Sequence, residues 1–399
     1  MKTLVEFWDE NPMNNVYGAL ACSPDRVLYL SSSGRIRNRH KRSLPRFFSG
    51  MGRHPELIFR EVAGTNLDRV SLVLEEILDK EENICFDLTG GSEVAMAALG
   101  QLSIRREISM IRFNPETGKI ELFQNCSGFW RPKQDLQFCC RDIVNLMGGI
   151  LLDGHGHFDG RDMDEELKAD SLKVWSVYRN YYRQWSTQVF YLQKMSAAGQ
   201  DPLLVRAPGI VHRDAYNMVA CNENILKDLE RAGVLSQLDV RDKQVCFRYK
   251  NRKLKEMLAI AGIWLEIYCF LAAKESGVFQ DAQISALINW DGKIHVKESE
   301  EVHNEIDVLL VRGLTPVFIS CKSGAVNASS LYEISVLARE LGGVNARKVL
   351  ATTMPLHSNA PNVVSRARQM GVELVEVQAM SLAELGKRLA EISESRPAD

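Results

Sequence analysis

The sequence has no strong excess of charge of either sign, because 49 lysines and arginines face 51 acids in 399 residues. A general electrostatic attraction to nucleic acid is therefore excluded, and any such binding must come from local basic patches. The nine cysteines include no CxxC pair, which argues against a zinc site or a disulfide framework. There is no basic start followed by an apolar segment and no run of about 18 apolar residues, so we expect a cytoplasmic protein without a membrane partner.

The order of helix-like and strand-like patterns predicts an α/β protein with three domains. Residues 1–125 alternate apolar strand patterns with helical ones, which is typical of a parallel, Rossmann-like sheet with helices on its faces. Residues 126–253 are mainly helical and include a helix followed by two alternating strand patterns, SQLDV and QVCFRY, which resembles a winged-helix unit. Residues 254–399 show a second α/β pattern that begins with a long apolar helix.

A glycine turn follows the strand pattern NICFDLT in the first domain, and its residues are Thr89, Gly90, Gly91 and Ser92. The turn leads straight into an alanine-rich helix, whose first N–H groups have no acceptors within the helix. Such a turn at the carboxyl end of a parallel strand is suited to an anion. It matches neither a Walker A loop nor the GxGxxG motif, so P-loop hydrolysis and standard dinucleotide binding are disfavoured. The alternative is a structural turn in which Ser92 only caps the helix.

A basic segment precedes this turn in the chain: GRIRNRHKRSLPR, residues 34–46, contains six lysines and arginines and no acid. These cations are suited to phosphate groups. The alternative is an exposed, solvated loop.

The strongest catalytic pattern lies in HNEIDVLLVRGLTPVFISCKSG, two strand patterns joined by a short turn. Alternation places Glu305 and Asp307 on one face of the first strand, and Ser320 and Lys322 on one face of the second. Glu266 is a lone acid among apolar residues of the preceding helix, and we expect it to point at the same pocket because burial without a partner is costly. Acids from separate segments beside an ammonium group can hold Mg²⁺ or Mn²⁺ and support phosphodiester hydrolysis.

The segments NEIDVLLVRG, FISCKSG and LYEISVLARELGG resemble the PD-(D/E)xK restriction-endonuclease-like fold. Together with the DLTGGS turn, the chain resembles the CARF-domain ancillary nucleases of type III CRISPR systems. The resemblance implies a homodimer in which a cyclic oligoadenylate, with the tetramer as the expected ring, binds the CARF domains and activates a metal-dependent nuclease. Single-stranded DNA or RNA is the implied substrate, with nicking of duplex DNA as a further option. The turn from Thr89 to Ser92 would contact the activator.

The resemblance also assigns the nuclease site. The residues assigned to the cut and its metal are Glu266, Asp307, Lys322 and, as a third metal ligand, Cys321. The family motif has an acid two residues before the lysine, where this chain has Ser320, which supplies no negative charge. Glu305 or Glu333 would then replace it. A nucleophilic role for the Cys321 thiol is disfavoured, since alternation turns it away from Lys322 and no histidine partner is identified.

Two alternatives to an active nuclease remain open. One is an inactive nuclease fold in which Asp307 and Lys322 form a structural ion pair. The other is a non-catalytic oligoadenylate-sensing regulator that binds DNA through the helix and ribbon of the middle domain.

Overall fold

The computed structural model describes the chain except for residues 33, 63–65, 115–118, 124–136, 153–159, 161–162, 196–200, 290–302, 357–359 and 396–399. The predicted domain boundary between residues 125 and 126 falls in one of these segments and lies outside the described residues.

The N-terminal region is a sheet of six strands in the order β3-β2-β1-β4-β5-β6. All neighbours run parallel except β6, which is antiparallel to β5. The strands are β1 (Thr3–Phe7), β2 (Arg26–Ser32), β3 (Glu56–Val62), β4 (Ile84–Asp87), β5 (Ser109–Asn114) and β6 (Lys119–Leu122). The helices are α1 (Tyr17–Cys22), α2 (Asn38–Gly50), α3 (Leu67–Lys80) and α4 (Glu93–Arg105).

Both faces of this sheet are buried, which is why its central strands are apolar throughout. Leu4 and Val5 are adjacent in β1, are both fully buried, and pack into different cores on opposite faces. Helices α3 and α4 cover one face, and α1 and α2 cover the other. The predicted Rossmann-like arrangement of this region is confirmed by its topology.

The middle region begins with α5 (Cys140–Leu146), β7 (Ile150–Leu152) and the long helix α6 (Glu165–Lys194), which bends at Tyr181, where φ is −120° and ψ is 20°. It continues with β8 (Leu204–Pro208), β9 (Ile210–His212), β10 (Met218–Ala220), α7 (Glu223–Arg231), β11 (Leu235–Arg241), β12 (Gln244–Tyr249) and α8 (Arg252–Leu258). The strand order β11-β12-β8, with α7 ahead of the β11–β12 hairpin, is winged-helix-like. Strands β9 and β10 form a separate hairpin.

The C-terminal region is built on a second six-stranded sheet, in the order β17-β16-β15-β14-β13-β7. Neighbours from β7 to β15 run antiparallel, whereas β15, β16 and β17 run parallel. Its elements are α9 (Ile263–Ser276), β13 (Asp281–Asn289), β14 (His303–Arg312), β15 (Thr315–Lys322), α10 (Ala328–Gly342), β16 (Arg347–Thr352), α11 (Pro361–Gln369), β17 (Val372–Glu376) and α12 (Leu382–Glu394). Strand β7 precedes the predicted third domain in the chain but belongs to this sheet.

The two faces of the C-terminal sheet have different partners. Helices α9 and α12 pack on one face together with α6. Helix α10 packs on the other face, in a core that includes Phe47 of α2, Ile143 of α5 and its own Leu341. Arg39 Nη1 of α2 also lies 3.9 Å from Glu340 Oε2 of α10. The N-terminal region is therefore in direct contact with α10.

Among the described residues, no single helix has the length and hydropathy needed to cross a membrane. Helices α8 and α9 meet those criteria only when taken as a pair, and that pair is bent by 113°.

Candidate functional site

Strands β14 and β15 separate at the point where the predicted acid and lysine lie. The paired residues of the two strands end at Val308 and Ile319. Beyond this pair, the Asp307 carboxylate accepts the next backbone N–H of β15 in place of a backbone carbonyl. Asp307 Oδ2 accepts hydrogen bonds from the backbone N–H of Cys321 at 2.5 Å and from Ser320 Oγ at 3.4 Å. The carboxylate is therefore fixed between the strands by the two residues that precede the lysine.

A small pocket of about 20 Å³ lies between these strand ends and α10. Its polar lining consists of Glu305, Asp307, Ser320, Lys322 and Glu333. Lys322 Nζ lies 3.9 Å from Glu333 Oε2, so the helix supplies an acid to the same ammonium group that β15 presents. These predicted side chains therefore line the same pocket.

Glu266 approaches this cluster from α9, on the opposite face of the sheet. The facing strand β13 is irregular at Ser285, whose φ is 47°, and the Ser285 hydroxyl donates to Glu266 Oε2 at 3.3 Å. The pKa of Glu266 is raised to about 8, mainly by burial and then by the charges of Asp307 and Glu305, while Lys322 lowers it. Glu266 is therefore within electrostatic range of the pocket.

The donors in the pocket are the kind that a hard cation prefers. Burial raises the pKa of Asp307, and the charges of Glu305 and Glu333 raise it further. The hydrogen bond from the Cys321 N–H and the charge of Lys322 lower this pKa in part. Within the described part of the chain, no group of three or more His, Cys, Asp and Glu side chains is arranged to hold a metal ion. The oxygen donors that are present suit Mg²⁺ or Mn²⁺, and a partly buried carboxylate beside further acids is stabilised by such a charge.

The Cys321 side chain lies on the other face of β15 from Ser320 and Lys322. Its Sγ is 4.0 Å from Cys269 Sγ of α9, and burial raises the pKa of the Cys321 thiol well above its usual value. A protonated thiol in an apolar core is a poor metal ligand. The predicted metal role of Cys321 therefore gains no support from its thiol, and the residue takes part in the site through its backbone N–H.

The turn after β4 connects strand to helix with two glycines that have no room for a side chain. Gly91 has a φ of +109°, and a Cβ there would collide with Phe7. A Cβ on Gly90 would lie 2.6 Å from Asp9 Cβ. Ser92 caps α4, because its Oγ accepts a backbone N–H one turn further on at 3.3 Å. The structural role considered for Ser92 is therefore present, and the start of α4 faces the carboxyl edge of the sheet.

The backbone N–H and the hydroxyl group of Thr89 both form hydrogen bonds within the protein. Its N–H donates to Asp87 Oδ1 at 2.8 Å, and its hydroxyl donates to the same oxygen. Thr89 Oγ1 also accepts the backbone N–H of Phe113 at 2.7 Å. The Thr89 hydroxyl thus has protein partners, which fix the turn against β5.

Asp87 belongs to a buried acid pair that the sequence patterns did not reveal. Glu6 and Asp87 are paired across β1 and β4 and are only 1% and 0% exposed. Burial and the charge of Asp87 raise the pKa of Glu6 well above its usual value, and burial raises the pKa of Asp87 to about 6. A side chain at Gly18 would collide with Asp87 Oδ2. The available signal was a lone acid in the apolar strand TLVEF, the reasoning that singled out Glu266.

A cavity of about 40 Å³ opens beside the turn, at the carboxyl ends of β1 and β2. Its walls are mostly apolar and include Trp8, while Ser31, Arg35, Gly91 and Ser92 contribute polar groups. Arg35 comes from the basic segment 34–46, most of which forms α2 and is not a loop. A guanidinium group and a helix start beside an aromatic ring suit a ligand that is both anionic and aromatic.

Residues 254–395 match the family model described as Card1-like, endonuclease domain. The pocket that contains Asp307, Ser320 and Lys322 lies within this range. The C-terminal region is therefore similar to this endonuclease domain, which agrees with the prediction from its motifs. No curated protein sequence matches the chain significantly.

Two solved structures share the fold over almost the whole chain. Protein VC1899 from Vibrio cholerae is 16% identical, with 98% of this chain and 97% of that chain covered at a TM-score of 0.71. Can2 from Sulfobacillus thermosulfidooxidans, solved in complex with cyclic tetra-adenylate, is 14% identical, with 99% and 100% covered at a TM-score of 0.68. The predicted α/β fold class is confirmed, and so is the resemblance to CARF-containing ancillary nucleases.

Proposed function

We propose that the chain is a metal-dependent endonuclease of type III CRISPR antiviral defence, which cuts single-stranded DNA or RNA, or nicks duplex DNA, after it binds a cyclic oligoadenylate. The observation that carries this proposal is the pocket in which Asp307, Lys322 and Glu333 meet inside a Card1-like endonuclease domain. An ammonium group beside partly buried carboxylates is a suitable arrangement for phosphodiester hydrolysis.

Each side chain then has a distinct role. Asp307 and Glu266 would hold Mg²⁺ or Mn²⁺, with Glu305 or Glu333 as a further ligand. Such a cation polarises a phosphoryl oxygen and lowers the pKa of bound water. Lys322 stabilises the negative charge that develops on the phosphate. Because the pKa of Glu266 is raised to about 8, its proton has to leave before its oxygens can act as ligands.

The activator would bind a homodimer at the turn from Thr89 to Ser92. The helix start, the Arg35 guanidinium and the adjoining cavity support an anionic ligand there. The whole-chain fold is shared with Can2, whose structure contains cyclic tetra-adenylate. The core that joins α2 and α5 to α10 offers a physical connection to the pocket, because α10 carries Glu333. Binding acts as a switch if the activator prefers one packing of this core.

Cleavage of labelled oligonucleotides by the full-length protein tests the proposal. We expect cutting only when cyclic tetra-adenylate and Mg²⁺ or Mn²⁺ are both present. Asp307→Ala and Lys322→Ala should reduce the rate by about 10²-fold or more, whereas Glu82→Ala, an exposed acid of the N-terminal region, should not. Full activity in either site variant would refute the site, and cutting without the activator would refute the switch.

One residue favours a second function. Ser320 stands where the nuclease motif has an acid, and the winged-helix-like unit containing α7 is a possible DNA-binding element. A non-catalytic oligoadenylate-sensing regulator would bind DNA without metal. A sequence-specific, activator-dependent gel shift, with no cleavage products after Mg²⁺ or Mn²⁺ is added, would support the regulator over the nuclease.

A further inference from the structure

The β9–β10 hairpin of the middle region turns one face to solvent. Val219 packs in the core with α6, whereas Ile210 and Met218 are 49% and 65% exposed. Tyr216 in the connecting turn is 95% exposed. Alternation along two short strands explains the buried and open faces, but it does not explain a tyrosine held almost entirely in water.

The turn that carries Tyr216 is well ordered by its own hydrogen bonds. Asp214 Oδ1 accepts the backbone N–H groups of Tyr216 and Asn217, each at 2.9 Å. The Asn217 side chain donates to both oxygens of Asp214, and the Arg213 N–H donates to the Asn217 carbonyl at 2.8 Å. The aromatic ring is therefore presented from a preorganised support, which lowers the entropy cost of binding.

Cations that form no ion pair among the described residues lie beside this hairpin. Arg213 and Lys194 both lie over the Phe190 ring of α6, with their charged groups 5.4 and 5.5 Å from its centroid. In the described part of the chain, no ion pair includes either of them, or the exposed Arg206 of β8. Asp214, the one acid between Ile210 and Cys221, is near Arg213 but is occupied by the turn.

Several other cations of the middle region do form ion pairs. The ion pairs there include Lys227 with Glu223, Arg231 with Asp228, Arg241 with Asp239, and Lys250 with Asp170. Arg213 and Lys194, which form no ion pair among the described residues, therefore leave positive charge beside the hairpin that carries the exposed tyrosine. Phosphate groups are complementary to such cations, and an unpaired base is complementary to an exposed ring.

We propose that the β9–β10 hairpin binds a single-stranded segment of nucleic acid, with Tyr216 stacked on a base and Arg213 beside a phosphate. The proposal rests on the nuclease function proposed above and gives the middle region its role in it. A duplex is disfavoured as the occupant because its base faces are already stacked. The hairpin packs on α6, and α6 packs on α9, which carries Glu266, so a bound strand is tied to the endonuclease domain.

Fluorescence anisotropy of a labelled single-stranded oligonucleotide, with full-length protein and no divalent cation, tests the proposal. Tyr216→Ala should weaken binding about tenfold, while Tyr216→Phe should retain it because the ring is kept. Arg213→Ala should reduce the slope of log Kd against log salt by about 0.7. Arg241→Ala, a nearby arginine that is paired with Asp239, is the matched control and should leave the slope unchanged.

The cleavage assay separates this proposal from the nuclease function itself. Tyr216→Ala should raise KM and leave kcat at saturating oligonucleotide unchanged, since the ring lies outside the pocket. Wild-type binding by Tyr216→Ala would overturn the proposal even if the protein cuts. The proposal would also be overturned if Tyr216→Ala changed the sedimentation coefficient of the protein but not its affinity for the oligonucleotide. The exposed face would then contact a second copy of the chain. If oligonucleotide binding depends on Tyr216 but the protein cuts no oligonucleotide, the binding role of the hairpin is supported and only the proposed nuclease function is refuted.

Discussion

Two aspartates, the buried Asp87 of the N-terminal sheet and the half-buried Asp307 of the C-terminal sheet, have similar local chemistry and different surroundings. Each accepts a backbone N–H and a hydroxyl group from residues at a strand end. Burial raises the pKa of both. Asp87 faces the equally buried Glu6, whereas Asp307 faces Lys322 across an open pocket.

This difference shows that burial alone does not make a carboxylate chemically useful. Burial raises the pKa of both Glu6 and Asp87, and the Asp87 carboxylate accepts the hydrogen bonds that fix Thr89 in the turn. Asp307 lies beside the Lys322 ammonium group in an accessible pocket, so a phosphate or a metal ion can approach its carboxylate. We therefore expect the first site to shape a binding turn and the second to support chemistry.

The largest effect should come from exchanging charge for a neutral isostere at the two aspartates. Asp307→Asn keeps an acceptor for the Cys321 N–H but removes the charge, so single-turnover cleavage should slow by on the order of 10³-fold. Asp87→Asn should change the rate at saturating activator by less than about tenfold, because Asp87 fixes the turn and lies outside the pocket. Equal losses in the two variants would mean that the comparison is wrong.

An intermediate effect should come from the turn above Asp87. Gly91→Ala forces an unfavourable φ and a collision with Phe7, which should weaken the binding of cyclic tetra-adenylate by about tenfold or more, measured by calorimetry. Gly100→Ala is the matched control, because a Cβ there meets nothing within 4 Å in α4. Unchanged affinity in Gly91→Ala would place the activator elsewhere.

The smallest effect should appear in the pH dependence of stability. The ordinary pKa values of Glu6 and Asp87 are 4.5 and 3.8, and both are raised in the folded protein, that of Asp87 to about 6. The unfolded chain therefore releases these protons at lower pH than the folded one does, so the free energy of unfolding falls as pH rises from about 4 through 6. The slope is at most about 1.4 kcal/mol per pH unit for each proton.

Glu6→Gln removes one of these titrations and should flatten that fall, measured by urea unfolding between pH 4 and 8. Glu82→Gln, at an exposed position of the same region, should leave the slope as it is. An equal fall in Glu6→Gln and in the wild type would contradict a raised pKa of Glu6 in the folded protein.

How much of the site the sequence predicts depends on how far apart in the chain the interacting residues lie. Alternation along β15 was enough to place Ser320 and Lys322 on one face and to turn the Cys321 thiol away. It could not show that Glu266 comes from the opposite face of the sheet or that Ser285 would meet it, since both depend on the packing of α9. The catalytic roles of these residues stay predictions.

The chain order of apolar patterns, turn glycines and lone acids by itself determined the α/β class, the winged-helix-like unit and the strand carrying Asp307, because these follow from local periodicity and steric rules. Only the tertiary structure decided that Glu6 and Asp87 form a pair, that β7 joins the C-terminal sheet and that α2 and α5 share a core with α10. Those contacts join residues distant in the chain, and their free energy depends on a packing that no local pattern encodes.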